Sequence, residues 1–339
     1  MMAPIARKIG VAVIGTRFGN LHAEAISEQS ARAHVVAVCS RTATHAMESA
    51  KRWGAQLGTT SFEQVLQHPE VDAVHLCVPH DLHAPMAVAA AEAGKHIMTE
   101  KPIATTVDEA DRMIAAADKA GVMLMVSLNQ RFLGHHQRAK ELVESGVIGD
   151  LFLCQSQFLG FSPIKGWRHD AAQTGGGVLV DSGMHKIDLL RWIAGEVTSV
   201  QALSGCYTHT AMEGEDTAVL MLRFASGAIG QVVSSWGIKR PIREESLMLA
   251  GTGGTIWTEN ATLSLTSAIE ESPGEIHQRE KETFPDVTYP DSVKQAVGHF
   301  LDCIQGKTDP LTTAQDGREA LRIAQAAYAA VKTGRPVDL

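Results

Sequence analysis

Three short polar clusters interrupt otherwise apolar or small-residue surroundings: Pro79-His80-Asp81-Leu82-His83, Glu100-Lys101-Pro102 and Asp181-Ser182-Gly183-Met184-His185. Their residue types suit hydride transfer at a carbinol carbon, which needs a base for the hydroxyl proton and a fixed donor for the oxygen as it gains negative charge. His185 is the candidate base, because an imidazole titrates near neutrality. Lys101 is the candidate donor to the developing alkoxide, and the proline after it restricts the backbone from which it projects. Asp181 lies four residues before His185, on the same face of a helix, where it would orient the imidazole or a substrate hydroxyl. Plainer readings exist beside these. Asp181 could pair with His185 or Lys186 on a solvated helix face, and Glu100 with Lys101 as a surface ion pair. His80 and His83 have a spacing that metals accept, but they lack a cysteine companion, and no metal is expected.

These clusters need a scaffold that brings strand ends and a helix start together. Over the first 130 residues, apolar runs at Ile9–Ile14, Val35–Cys39, Ala73–Val78, His96–Thr99 and Val122–Ser127 alternate with alanine-rich helical patterns. The alternation predicts a parallel, doubly wound α/β sheet that binds ligands at the carboxyl ends of its strands. Gly94 and Gly121 fall where a left-handed residue closes a helix. The first strand runs into Gly15-Thr16-Arg17-Phe18-Gly19-Asn20 and then a helix, the place for a dinucleotide pyrophosphate. Against G-x-G-x-x-G only Gly15 is in frame, with Arg17 and Asn20 at the second and third glycine positions. Ser40 and Arg41 close the second strand about 20 residues further on, where an acid would select NAD. A hydroxyl and a cation suit a 2′-phosphate instead, so NADP is favoured over NAD.

Beyond Arg131 the pattern changes. A helix near His135–Ser145, a strand near Leu151–Phe158 and a glycine-led helix from Gly177 to about Ile193 precede strands at Thr217–Phe224, Ala228–Trp236, Ser246–Ala250 and Thr255–Thr258. This order predicts an α+β domain with a large, open, mainly antiparallel sheet and helices on one side. The Glu- and Pro-rich segment Ser272–Pro290 reads as a surface loop, and helices at Ser292–Gln305 and Thr313–Thr333 close the chain. The expected division is residues 1–130 for the nucleotide and 131–339 for substrate and assembly, with the C-terminal helix able to pack back on the first domain.

Composition narrows the partners. A length of 339 residues suits two domains. With 30 basic against 38 acidic residues, a net charge of −8 and no basic run, neither nucleic acid nor a membrane is an expected partner. No apolar stretch reaches the roughly 18 residues of a membrane span, and Ile9–Ile14 is too short for a secretory leader. Five scattered cysteines without C-x-x-C spacing fit a reducing, cytoplasmic setting.

Together these motifs resemble the glucose–fructose oxidoreductase/inositol dehydrogenase/rhizopine-catabolism (Gfo/Idh/MocA) family along nearly the whole chain. The landmarks are Gly15–Asn20, Pro79–His83, Glu100-Lys101-Pro102 and the run Gly175-Gly176-Gly177 to Asp188, which carries Asp181, Gly183 and His185 at the family's spacing. The resemblance implies a Rossmann domain followed by an open-sheet domain, with Lys101, Asp181 and His185 as the catalytic set. Expected cofactor neighbours are Gly15, Thr16, Arg17, Phe18, Ser40, Arg41, Pro79, His80, His83, Glu100, Lys101 and Asn129. Expected substrate neighbours are Arg131, Trp167 and Arg168 with the catalytic set. The implied substrate is a sugar, polyol or cyclitol, and the implied assembly a homodimer or homotetramer through the sheet that contains Thr217–Trp236. Relatives also include glycoside-cleaving enzymes that use a transient oxidation and non-catalytic regulators, and both alternatives stay open on the residues alone.

Overall fold

A computed structural model describes residues 7–240, 245–259, 261–267, 279–285 and 289–339. The chain forms two compact units, residues 1–129 with 288–318 and residues 130–287 with 319–339. Its strands are β1 Ile9–Ile14, β2 Ala33–Cys39, β3 Leu57–Thr59, β4 Ala73–Leu76, β5 His96–Thr99, β6 Leu124–Val126, β7 Leu151–Leu159, β8 Val197–Gly205, β9 Thr217–Phe224, β10 Ile229–Ser235, β11 Glu245–Gly251, β12 Gly254–Glu259, β13 Thr262–Ser267, β14 Arg279–Thr283 and β15 Val337–Asp338. The helices are α1 Gly19–Glu28, α2 Ala43–Trp53, α3 Phe62–Gln67, α4 His83–Glu92, α5 Val107–Ala120, α6 Gly134–Glu144, α7 Ala171–Thr174, α8 Met184–Ala194, α9 Tyr289–Ile304 and α10 Ala314–Thr333.

The first unit is a six-stranded parallel sheet in the order β3-β2-β1-β4-β5-β6. Its central strand β1 is apolar or small throughout and wholly buried, as a strand covered on both faces must be. Strand order reverses between β1 and β4, and that switch point opens the crevice where such sheets take ligands. Helix α5 begins with a reciprocal Thr106–Glu109 capping box and ends at left-handed Gly121. Helix α9 packs along α1, where the Lys294 ammonium reaches Glu24 at 2.7 Å and Glu28 at 2.6 Å.

The second unit is a nine-stranded sheet, β14-β13-β12-β11-β7-β10-β9-β8-β15. It is antiparallel except where β7 and β10 run parallel. Helix α8 packs on β7 and β10 and α6 on β12 and β13, on the face lined by Leu220, Leu222 and Val232. Strand alternation turns Leu203, Met221 and Ile229 to the other face, where they are 74%, 46% and 39% exposed.

Two expectations change. Ser272–Pro290 is not all loop: residues 279–283 form β14, which pairs antiparallel with β13, while residues 272–278 and 286–288 lie outside the described residues. The helix expected from Gly177 starts instead as a wide π turn over Leu179–Gly183, and α-helical geometry begins at Met184. No helix among the described residues is long and apolar enough to cross a membrane.

Candidate active site

At the nucleotide end, Gly15 has φ +96° and donates its N–H to the Cys39 carbonyl at 2.8 Å. A Cβ there would lie 2.1 Å from the Cys77 carbonyl oxygen, so only glycine lets β1 leave the sheet so close to the end of β4. A Cβ on Gly19 would sit 2.7 Å from Val13 Cγ1. Gly19 therefore gives the close helix–strand packing that the third glycine of the fingerprint provides, one position earlier than the frame places it. Asn20, counted as a departure, accepts from Ser49 Oγ at 2.8 Å and Trp53 Nε1 at 3.0 Å and so ties α1 to α2. No side chain caps the start of α1 at Phe18, and no acid lies in its first turn. An uncapped helix start leaves N–H donors for an anion. Thr16 and Ser40 hydroxyls are 3.3 Å apart, and their sequence neighbours Arg17 and Arg41 are exposed. These features fit a dinucleotide.

The ends of β4 and β5 are bound together from behind. His80 is buried in the 3₁₀ turn that follows Pro79. His83 places Nδ1 2.8 Å from the Pro102 carbonyl and Nε2 3.1 Å from the Val78 carbonyl. Burial lowers its pKa, against the opposing pull of the Pro102 bond, and a neutral ring carries one N–H, which the shorter contact gives to the Pro102 carbonyl. The structure thus places His83 as a clamp on the turn that carries Lys101. Glu100 and Lys101 are both buried, so they are not the surface ion pair weighed above. Glu100 turns inward to His22, Oε1 to Nε2 3.1 Å. Asn129 donates Nδ2–H to Ser292 Oγ at 2.6 Å, and its Oδ1 is a buried acceptor with no partner among the described residues. That oxygen fits a ligand donor such as a carboxamide.

In the second unit the glycine run is required by what presses on it. A Cβ on Gly176, at φ +152°, would lie 2.1 Å from the Tyr328 hydroxyl, and one on Gly177 would lie 2.0 Å from the Glu215 carbonyl oxygen. The Tyr328 hydroxyl accepts from the Gly177 N–H at 3.2 Å and donates to Glu215 Oε1 at 2.9 Å. The Leu179 N–H also donates to Glu215 Oε1, at 2.9 Å. Burial raises the Glu215 carboxyl above its ordinary range. This anchor sets the π turn that presents Asp181, and π turns recur at functional sites.

Asp181 is buried and accepts from Arg168 Nε at 3.0 Å, while the Arg168 guanidinium lies 5.2 Å over the Trp167 ring. Ser182 accepts from Trp236 Nε1 at 2.8 Å, and His185 is buried in the first turn of α8. Lys186 does not pair with Asp181: its buried ammonium meets Glu245 at 2.9 Å. Arg131, expected beside the ligand, makes a buried two-point pair with Asp188, at 2.9 and 2.5 Å. Sequence reasoning missed Glu215, Tyr328, His22 and His75. The consecutive glycines were the available signal that something approaches the backbone closely.

Comparisons with known proteins bear on the family and the fold. The profile of the oxidoreductase family with an NAD-binding Rossmann fold matches residues 9–128, and that of the GFO/IDH/MocA C-terminal domain matches residues 136–257. The chain is 30% identical over 345 residues to the uncharacterized oxidoreductase YrbE of Bacillus subtilis, covering 99% of this chain and 98% of that protein. It is 28% identical over 338 residues to the myo-inositol 2-dehydrogenase of Thermotoga maritima, covering 98% of each. Among solved structures, levoglucosan dehydrogenase in complex with NADH and levoglucosan superposes with a TM-score of 0.91 at 24% identity, covering 98% of this chain and 99% of that one.

Proposed function

Because this chain belongs to the Gfo/Idh/MocA family of NAD(P)-dependent oxidoreductases, we propose that Lys101, Asp181 and His185 act together on one CH–OH/C=O carbon of a sugar, cyclitol or glycoside. The observation that carries this reading is a braced π turn that holds Asp181 and runs directly into the first turn of α8, where His185 sits, with Arg168 paired to the Asp181 carboxylate. The bound nicotinamide supplies the hydride acceptor or donor. In the oxidative direction His185 takes the hydroxyl proton as the C–H hydride leaves and the carbonyl forms. Lys101 donates a hydrogen bond to the reacting oxygen, and Asp181 holds the imidazole or a neighbouring substrate hydroxyl. Trp167 and Arg168 line the sugar.

The Thr16–Ser40 hydroxyl pair and the exposed Arg17 and Arg41 support NADP over NAD. The outward face with Leu203, Met221 and Ile229 supports a homodimer or homotetramer through the sheet. All five thiols are free, which supports a cytoplasmic setting. The test is His185→Ala. Turnover should fall about 10²- to 10⁴-fold, with NAD(P)H affinity by fluorescence near that of the parent. Intact turnover at every pH removes His185 as the base.

A further inference from the structure

The first unit buries a string of polar groups that the proposed chemistry does not use. His22 on α1 and His75 in the middle of β4 are both fully buried, with their Nδ1 atoms 3.0 Å apart. His22 Nε2 is 3.1 Å from Glu100 Oε1, one residue before Lys101. Rings close the string on its other sides: Phe18, from the dinucleotide turn, lies 5.6 Å edge-on to His22, and Phe300 of α9 lies 5.3 Å from His75. His75 Nε2 has no hydrogen-bond partner among the described residues.

We propose that His22 and His75 are positioning residues which hold Glu100 as a fixed carboxylate and so set the turn that carries Lys101, while His83 fixes the same turn through the Pro102 carbonyl. The inference rests on the role given to Lys101 above.

Proton counting decides the arrangement. An ionised Glu100 can only accept, so His22 carries its proton on Nε2 and leaves Nδ1 as an acceptor. His75 must then donate from Nδ1, and the atom left over, Nε2, is a lone pair. In the reverse arrangement a protonated Glu100 donates to His22, His22 donates from Nδ1, and His75 is left with a buried N–H that has no acceptor. An orphaned buried donor costs about 1–3 kcal/mol, whereas an under-satisfied lone pair is better tolerated. Burial holds His75 well below the usual imidazole range, so the end of the string resists protonation. The other titratable groups that sense the Glu100 charge are Cys77 and His83, and burial disfavours the charged form of both. Lys101 is thereby bracketed: the preceding side chain is tied inward to α1 and β4, and the following carbonyl is tied to His83.

Two measurements test this on the full-length protein. Long-range 15N–1H spectra should show His22 protonated at Nε2 and bare at Nδ1, with His75 protonated at Nδ1; the opposite tautomers overturn the arrangement. This readout needs no variant and stands even if His75→Phe does not fold. In kinetics, His75→Phe should lower kcat about tenfold or more through a misaimed Lys101, with KM within about twofold. His75→Asn, which keeps an N–H near the Nδ1 position, should recover kcat to within about threefold. Unchanged kcat in His75→Phe, or no recovery in His75→Asn, overturns the positioning role. Lys101→Ala separates the two readings: if it retains full turnover, the catalytic assignment fails, while the tautomers still judge the string.

Discussion

Removing the Asp188 carboxylate would leave the Arg131 guanidinium buried without its main counter-charge. Their side chains are 4% and 1% exposed, and two hydrogen bonds at 2.9 and 2.5 Å join them beneath Trp192, whose ring lies 5.5 Å from the guanidinium. Breaking such a pair from one side costs about 3–5 kcal/mol, because the remaining charge has lost both water and partner. At about 2–4 °C per kcal/mol for a unit of this size, Asp188→Ala should lower Tm by about 10 °C. Replacing both charges at once, as Arg131→Met with Asp188→Leu, removes the desolvation cost together with the attraction and should recover most of the loss. Thermal melts of Arg131→Met, Asp188→Leu and the double variant make the cycle, with Asp188→Ala melted alongside. A drop of only about 2 °C in Asp188→Ala, or a double variant as unstable as the single one, refutes the reasoning. If Arg131→Met raises KM without lowering Tm, Arg131 serves the substrate and not the scaffold.

Arg41→Ala should weaken NADPH binding about tenfold, the worth of one charge-assisted contact, and leave NADH affinity unchanged; paired fluorescence titrations measure both, and equal loss for the two cofactors contradicts a 2′-phosphate contact. Glu215 should give stability a pH slope. Burial raises its folded pKa above the roughly 4.3 of the unfolded chain, so the folded state holds the proton more tightly, and stability falls as pH climbs from the unfolded value through the folded one. Glu215→Gln keeps the acceptor for Leu179 and Tyr328 but cannot ionise, so its Tm relative to the parent should rise with pH. Melts from acid to neutral pH check the sign.

The parallel sheet was legible because its strands are continuous apolar runs and Gly94 and Gly121 mark two helix ends. Strand β3 was not, since Leu57-Gly58-Thr59 is half-buried and carries no apolar run. Strand β14 reads Arg-Glu-Lys-Glu-Thr, which looks like a charged loop until its place at the sheet edge is known. In the site, Lys101, Asp181 and His185 stood out by residue type. The groups that hold them did not. Asp188 lies 57 residues from Arg131, Glu215 lies 36 residues beyond Leu179, and Tyr328 lies 151 residues beyond Gly177. A histidine inside the apolar run Ala73-Val74-His75-Leu76 was the one local hint of the buried string, and nothing in a linear reading pairs it with His22. Gly19 was passed over because the fingerprint counts positions, whereas the helix requires close approach to Val13 wherever the turn brings it.

The most direct test of the central claim follows reduced nicotinamide absorbance when parent and His185→Ala protein are given NADP+ or NAD+ with a panel of cyclitols, monosaccharides and glycosides. Reduction by the parent on at least one polyol, lost in His185→Ala while NADPH fluorescence still reports binding, is the predicted result. Dinucleotide binding with no hydride transfer to or from any member of the panel, in either direction, would contradict it.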